Sequence, residues 1–177
     1  MIQVAALSEP IGRIDGYSDA DWQGCPLTHK STSGSLVFCG GSLISSQSKT
    51  QEGLPALSSG EAELRAAGQT VTMMIYIRHL MEQFDIEVVG IPKLWLDSNA
   101  AIQHVQRLGP GRLKHLETRA LFIQQLAERR FVEVSFVLGV SKPADILTKY
   151  LTQEIMNSHL DTIGLVHKDT DVTVKKR

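Results

Sequence analysis

Apolar positions change period several times along this chain, and the changes mark out its elements. Residues 11–22 alternate as a half-buried strand does, which puts Tyr17, Asp19 and Asp21 on one face. The next stretch, 23–33, carries Gly, Pro and hydroxyl residues and predicts a turn. Two short strands, about 34–39 (G-S-L-V-F-C) and 42–48 (S-L-I-S-S-Q-S), hinge at Gly40-Gly41 and predict a hairpin. Helical spacing takes over at 59–84, where Ala66, Thr70, Met73, Ile77, Leu80 and Phe84 recur every three or four positions and predict one apolar stripe packed on a sheet. A short strand at 93–97 follows, then a helix at about 99–107 that Ser98 can cap, a break at Gly109-Pro110-Gly111 and a helix at about 113–130. That last helix aligns Leu113, Leu116, Ala120, Ile123 and Ala127. Residues 131–138 alternate as a strand, and Pro143 suits the first turn of a final helix. The order is βββ-α-β-α-α-β-α, an α/β chain without internal repeats.

The ends carry less pattern. Residues 1–10 have no clear period and read as a linker, 11–166 as one domain, and 167–177 as a polar tail ending in Lys175-Lys176-Arg177. A chain of 177 residues is long enough to bury roughly 70 % of its unfolded surface in one domain. Its net charge of −1 provides no overall basic field that would announce independent binding to nucleic acid. Cys25 and Cys39 form neither a disulfide framework nor a zinc pattern and read as small apolar residues of a reducing compartment. No stretch nears the ~20 apolar residues of a membrane span, and the start has no secretory pattern, so the expectation is an intracellular protein with no membrane partner. The six histidines lack metal-ligand spacing. Trp22 and Trp95 are expected in the core.

Four acids stand in contexts suited to a shared site for hard divalent cations, which take oxygen ligands. They are Asp19 in G-Y-S-D-A-D-W, Glu63 in S-S-G-E-A-E-L-R-A, Asp97 in L-W-L-D-S-N and Asp145 in S-K-P-A-D-I-L-T-K. Glu61 also lies early in the long helix, but Ser58-x-x-Glu61 is a capping box and gives it a structural role. Glu63 precedes Ala66 by three and so extends the stripe that faces the sheet, where a carboxylate needs a partner or a metal. Asp97 ends an apolar strand, the place where α/β sheets gather ligand sites. Asp145, in the first turn of a helix, is favoured there by the helix dipole whatever its function. Asp19 and Asp21 share a strand face; Asp19 is central and Asp21 nearer the turn, so the choice between them stays open on pattern alone.

From about Gly16 to Tyr150 the chain resembles the ribonuclease H domain of copia-type LTR retrotransposon polyproteins. The matching segments are G-Y-S-D-A-D-W-x-G (16–24), K-S-T-S-G (30–34), G-G-S-L-I-S-x-x-S-K (40–49), A-L-S-S-x-E-A-E-L-R-A (56–66), L-D-S-N-A-A-I (96–102), L-K-H-L-E-T-R (113–119) and A-D-I-L-T-K (144–149). They occur in order over about three-quarters of the chain and are specific as a set. The resemblance implies a ribonuclease H-like fold, a mixed five-stranded sheet flanked by helices. It also implies hydrolysis of the RNA strand of an RNA/DNA hybrid by two Mg²⁺ or Mn²⁺ ions. The family's metal-binding acids fall on Asp19, Glu63, Asp97 and Asp145, with Asp19 and Asp97 central to the pair of ions.

Two features depart from cellular relatives. Residues 139–144 (G-V-S-K-P-A) lack the histidine that usually precedes the last Asp, and no extra basic helix grips the hybrid. The resemblance therefore implies an adjacent reverse-transcriptase domain that helps to hold the substrate. Ser98 and Asn99 are candidate contacts to the RNA 2′-hydroxyl. His115 matches a family position and has either a surface or a functional role. The competing readings are a DNA-cutting nuclease of the same fold and a non-catalytic domain that binds nucleic acid or connects neighbours.

Overall fold

The structure is a computed structural model and describes residues 2–4, 10–106 and 117–167. Its centre is a five-stranded mixed sheet, in the spatial order β4 (Ser42–Thr50), β3 (Thr32–Cys39), β2 (Ile14–Asp21), β5 (Lys93–Leu96) and β6 (Glu133–Phe136). β2, β3 and β4 run antiparallel in sequence order, while β5 pairs parallel with β2 and β6 parallel with β5. Gly40 and Gly41 have φ of 57° and 77°, the left-handed pair that a two-residue hairpin requires between β3 and β4. The helices are α1 (Ser59–Gln83), α2 (Asn99–Gln106), α3 (Glu117–Glu128) and α4 (Gln153–Thr162). In the stretch where the sequence shows no period, β1 (Ile2–Val4) pairs antiparallel with β7 (Leu165–His167) as a separate ribbon. Its strand state comes from that pairing and not from local pattern.

One sheet face packs under α1, α2 and α3 around Ile14, Val37, Leu94, Leu96, Val71 and Ile123. The buried side of α1 is rotated from the expected stripe. Thr70 and Ile77 are buried as expected, but Met74 and Met81 face the sheet where Met73 and Leu80 were anticipated, and Phe84 is 73 % exposed. Both arcs satisfy a 3.6-residue period, and only the position of the sheet selects between them.

The opposite face is covered by residues 143–165, with Leu36, Phe38 and Ile163 at its centre. There Tyr17 meets Phe38 edge-on at 5.5 Å and stacks on Trp95 at 6.1 Å. Trp95 is half-buried, and its indole N–H donates to Asp15 Oδ1 at 2.8 Å. Trp22 is not in the core. It is 43 % exposed, and its indole N–H donates to the Ala56 carbonyl at 2.9 Å, tying the end of β2 to the loop before α1. The final helix expected at Pro143 is instead a short 3-10 turn, Pro143–Leu147, and α4 starts only at Gln153. Lys142 is extended (φ −96°, ψ 99°), as a residue before proline prefers to be, and the five-residue turn then lies flat on the sheet.

Gly34 makes that seat. It pairs with Asp19 across β2 and β3, and a Cβ placed on it would lie 2.8 Å from Thr148 Cγ2, 2.9 Å from the Ala144 carbonyl and 3.0 Å from Leu147 Cβ. The expected break at Gly109-Pro110-Gly111, the helix start at 113 and His115 lie outside the described residues. Among the described residues no helix is long and apolar enough to cross a membrane. Substituting Gly34→Val should lift the 143–148 stretch off the sheet and destabilise the domain by about 1–3 kcal/mol. Urea denaturation reads this, and an unchanged midpoint would show that the stretch does not depend on this contact.

Candidate active site

The sheet ends bring three of the four acids together. Asp19 sits near the end of β2, Asp97 directly follows β5, and Glu63 reaches in from the second turn of α1. One carboxylate oxygen of each lies within 4.8 Å of the others. Asp19 is fully buried, whereas the Asp97 and Asp145 side chains are 26 % and 16 % exposed, so the cluster has a closed floor and an open mouth. Asp145 stands in the 3-10 turn on the far wall and meets the cluster through lysines. Lys142 Nζ lies 2.8 Å from Asp97 Oδ2 and 3.3 Å from Asp145 Oδ1, and it donates to Asp19 Oδ1. Lys149 Nζ lies 3.2 Å from Asp19 Oδ1 and 3.3 Å from Asp145 Oδ2, and the Thr148 hydroxyl donates to Asp19 Oδ2.

Neighbouring acids are engaged elsewhere. Ser58 Oγ accepts from the Glu61 N–H at 3.2 Å, Glu61 Oε2 accepts from the Leu57 N–H at 2.9 Å, and Arg65 holds Glu61 Oε1 at 2.6 Å. Asp21 lies beyond the cluster, at the turn, where its carboxylate fills the space beside Gly24. Ser98 Oγ accepts from the Ala101 N–H at 3.2 Å and so caps α2. Asn99, the first residue of α2, is exposed.

The serines of the K-S-T-S-G segment brace the floor. Ser33 Oγ accepts from Gln51 Nε2 at 2.9 Å, and the same amide donates to the Ala62 carbonyl at 2.8 Å, locking the start of α1 to β3. Lys142, Thr148 and Lys149 are site residues that sequence reasoning passed over. Their signal was present, since two lysines stand three before and four after Asp145, but spacing along a turn does not reveal that both side chains point at Asp19.

This sheet order, with its flanking helices and its carboxylates at the strand ends, is the ribonuclease H fold. The N-terminal ribonuclease H domain of Rv2228c from Mycobacterium tuberculosis matches 85 % of this chain and 97 % of its own at a TM-score of 0.58 and 13 % identity. A ribonuclease H1 named LC11, solved in complex with an RNA/DNA hybrid, matches 77 % of this chain and 94 % of its own at 0.57 and 16 % identity. No protein-family model matches the chain. In sequence it is 31 % identical, over 86 % of its length, to the retrovirus-related Pol polyprotein from transposon RE1 of Arabidopsis thaliana. It belongs to the ribonuclease H domains of copia-type retrotransposon Pol polyproteins. The chain spans about a tenth of the length of the curated relatives it matches.

The donor set fits hard divalent cations: three carboxylates converge, and Glu63 Oε2 is buried without a hydrogen-bond partner. Burial alone would raise the Asp19 pKa, but Lys142, Thr148 and Lys149 outweigh it and hold the carboxyl below its ordinary value. Burial pushes Glu63 up to about 8; Lys142 pulls against this, while Asp19 and Asp97 add to it. Burial therefore favours the protonated form of Glu63 when no metal is bound, and metal binding competes with that proton. A carboxyl whose pKa is raised by folding stabilises the fold fully below its unfolded value, near 4.5, and loses that contribution as pH rises through about 8. In EDTA, urea-measured stability should fall across this window more steeply for the wild type than for Glu63→Gln. Parallel curves would show that Glu63 does not titrate this way.

Proposed function

We propose that the domain is a metal-dependent endonuclease that cuts the RNA strand of RNA/DNA hybrids, with Asp19, Glu63, Asp97 and Asp145 holding two Mg²⁺ or Mn²⁺ ions. The observation that carries this reading is the convergence of Asp19, Glu63 and Asp97 from three separate elements, with one Glu63 oxygen buried and unpartnered. The hybrid seen in the LC11 complex supports the substrate class. Divalent cations supply charge neutralisation at the phosphate and a lowered pKa for a bound water.

The chain's own residues set up that chemistry. Asp19 and Asp97, at the ends of β2 and β5, present oxygens from rigid strands and fix the position of the scissile phosphate. Glu63 gives up its proton on loading and offers Oε2, with Oε1 held by the Ala20 N–H at 3.4 Å. Asp145 closes the wall. At the mouth, beside Asp97, Ser98 still has its hydroxyl hydrogen to donate, and the exposed Asn99 amide can donate or accept. Both are candidate contacts to a 2′-hydroxyl, which DNA lacks. With a net charge of −1, the domain takes its hybrid from an adjacent reverse-transcriptase domain in a longer Pol polyprotein, in an intracellular setting.

Cleavage of a labelled RNA strand in a hybrid, with Mg²⁺ or Mn²⁺, tests the proposal. Asp97→Asn should lower the rate by about a hundredfold or more, and an all-DNA duplex should stay intact. Cutting of the DNA duplex would indicate a DNA nuclease of this fold. Folded protein that binds hybrid and cuts nothing would indicate a binding or connector domain.

A further inference from the structure

Among the described residues, Lys142 is a lysine with no exposed surface, and lysine is almost never so buried unless paired. Its ammonium lies among Asp19, Asp97 and Asp145, and Glu63 belongs to the same cluster as Asp19 and Asp97. The ammonium donates to Asp19 and is ion-paired with Asp97 at 2.8 Å and with Asp145 at 3.3 Å, and each aspartate is one to which the ribonuclease reading gives a metal-binding role. The backbone aims it there. Lys142 is extended before Pro143, its N–H donates to the Gly139 carbonyl at 3.0 Å, and its own carbonyl accepts from the Asp145 N–H at 3.3 Å.

Asp19 Oδ1 and Asp97 Oδ2 accept from this ammonium, so the same oxygens serve either the lysine or a divalent ion. Two cations of like sign repel strongly at such separations. We propose that Lys142 is the resident cation of the carboxylate site, holding the acids together when metal is absent and being displaced when divalent ions bind. Lys142 then sets how tightly the site takes metal. Its loss makes metal binding stronger and the metal-free fold weaker. This rests on the reading of the cluster as a metal site, and the test separates the two.

Mn²⁺ titration, followed by the electron paramagnetic resonance signal of the free ion, compares the wild type with Lys142→Met, which keeps length and removes charge. The expected result is at least tenfold tighter Mn²⁺ binding by the variant, with a thermal midpoint that is lower in EDTA and rises more steeply with Mg²⁺. Equal or weaker Mn²⁺ binding by the variant, while the wild type binds, overturns the proposal and leaves the metal site standing. Binding by neither protein overturns both. Should Lys142→Met fail to fold, amine acetylation of the wild type decides, read at Lys142 by mass spectrometry. Labelling should be at least several-fold faster in saturating Mg²⁺ than in EDTA. Equal or slower labelling means that metal does not dislodge the ammonium and overturns the proposal.

Discussion

A carboxylate with no exposure at all on a central strand needs an opposite charge or a metal within reach, and Asp19 imposes that requirement on its surroundings. The answer comes from the chain's last third. Lys142, Thr148 and Lys149 all reach Asp19 from one short stretch, so that stretch has to lie flat on β3. Lying flat requires a residue without a side chain opposite Asp19, and Gly34 supplies it. The same stretch carries Asp145 and closes one wall of the site. A single buried charge thus links the floor of the site, its wall and the local choice of glycine.

The acids are also held in two different ways. Asp19 and Asp97 stand at strand ends backed by the larger apolar core, where displacement would disturb packing on both sides. The wall at 143–149 is held by packing on Gly34 of β3, by the Ser48 hydroxyl donating to the Leu147 carbonyl at 2.6 Å, and by Thr148 and Lys149 donating to Asp19. Two acids are held by the core, and Asp145 by a turn.

Much of this was legible in the sequence. Alternation over 11–22 pointed to β2, and Gly40-Gly41 to the β3–β4 hairpin, because a two-residue turn needs left-handed backbone that glycine adopts freely. The capping box separated Glu61 from Glu63, since a side chain bonded to its own helix start cannot also project into a cleft; the structure engages Glu61 with Leu57 and Arg65 and places Glu63 beside Asp19. Three features were not legible. The rotation of α1 that buries Met74 and not Met73 depends on a sheet formed by residues on both sides of the helix in sequence. The place of Trp22 outside the core, with its indole N–H on the Ala56 carbonyl, depends on a long-range contact that no local pattern encodes. The inward aim of Lys142 depends on an extended residue before proline and on the stretch after it, Ala144 to Thr148, seating on a glycine more than a hundred positions earlier.

The small ribbon of β1 and β7 has a mechanical corollary. Ile2 pairs with His167 and Val4 with Leu165, so a polypeptide continuing past both strands leaves the domain from neighbouring points at one end of the ribbon. Tension applied along such a polypeptide peels the two strands apart one pair at a time, as a zipper opens. In that geometry the three residue pairs of the ribbon lie in the load path ahead of the five-stranded sheet.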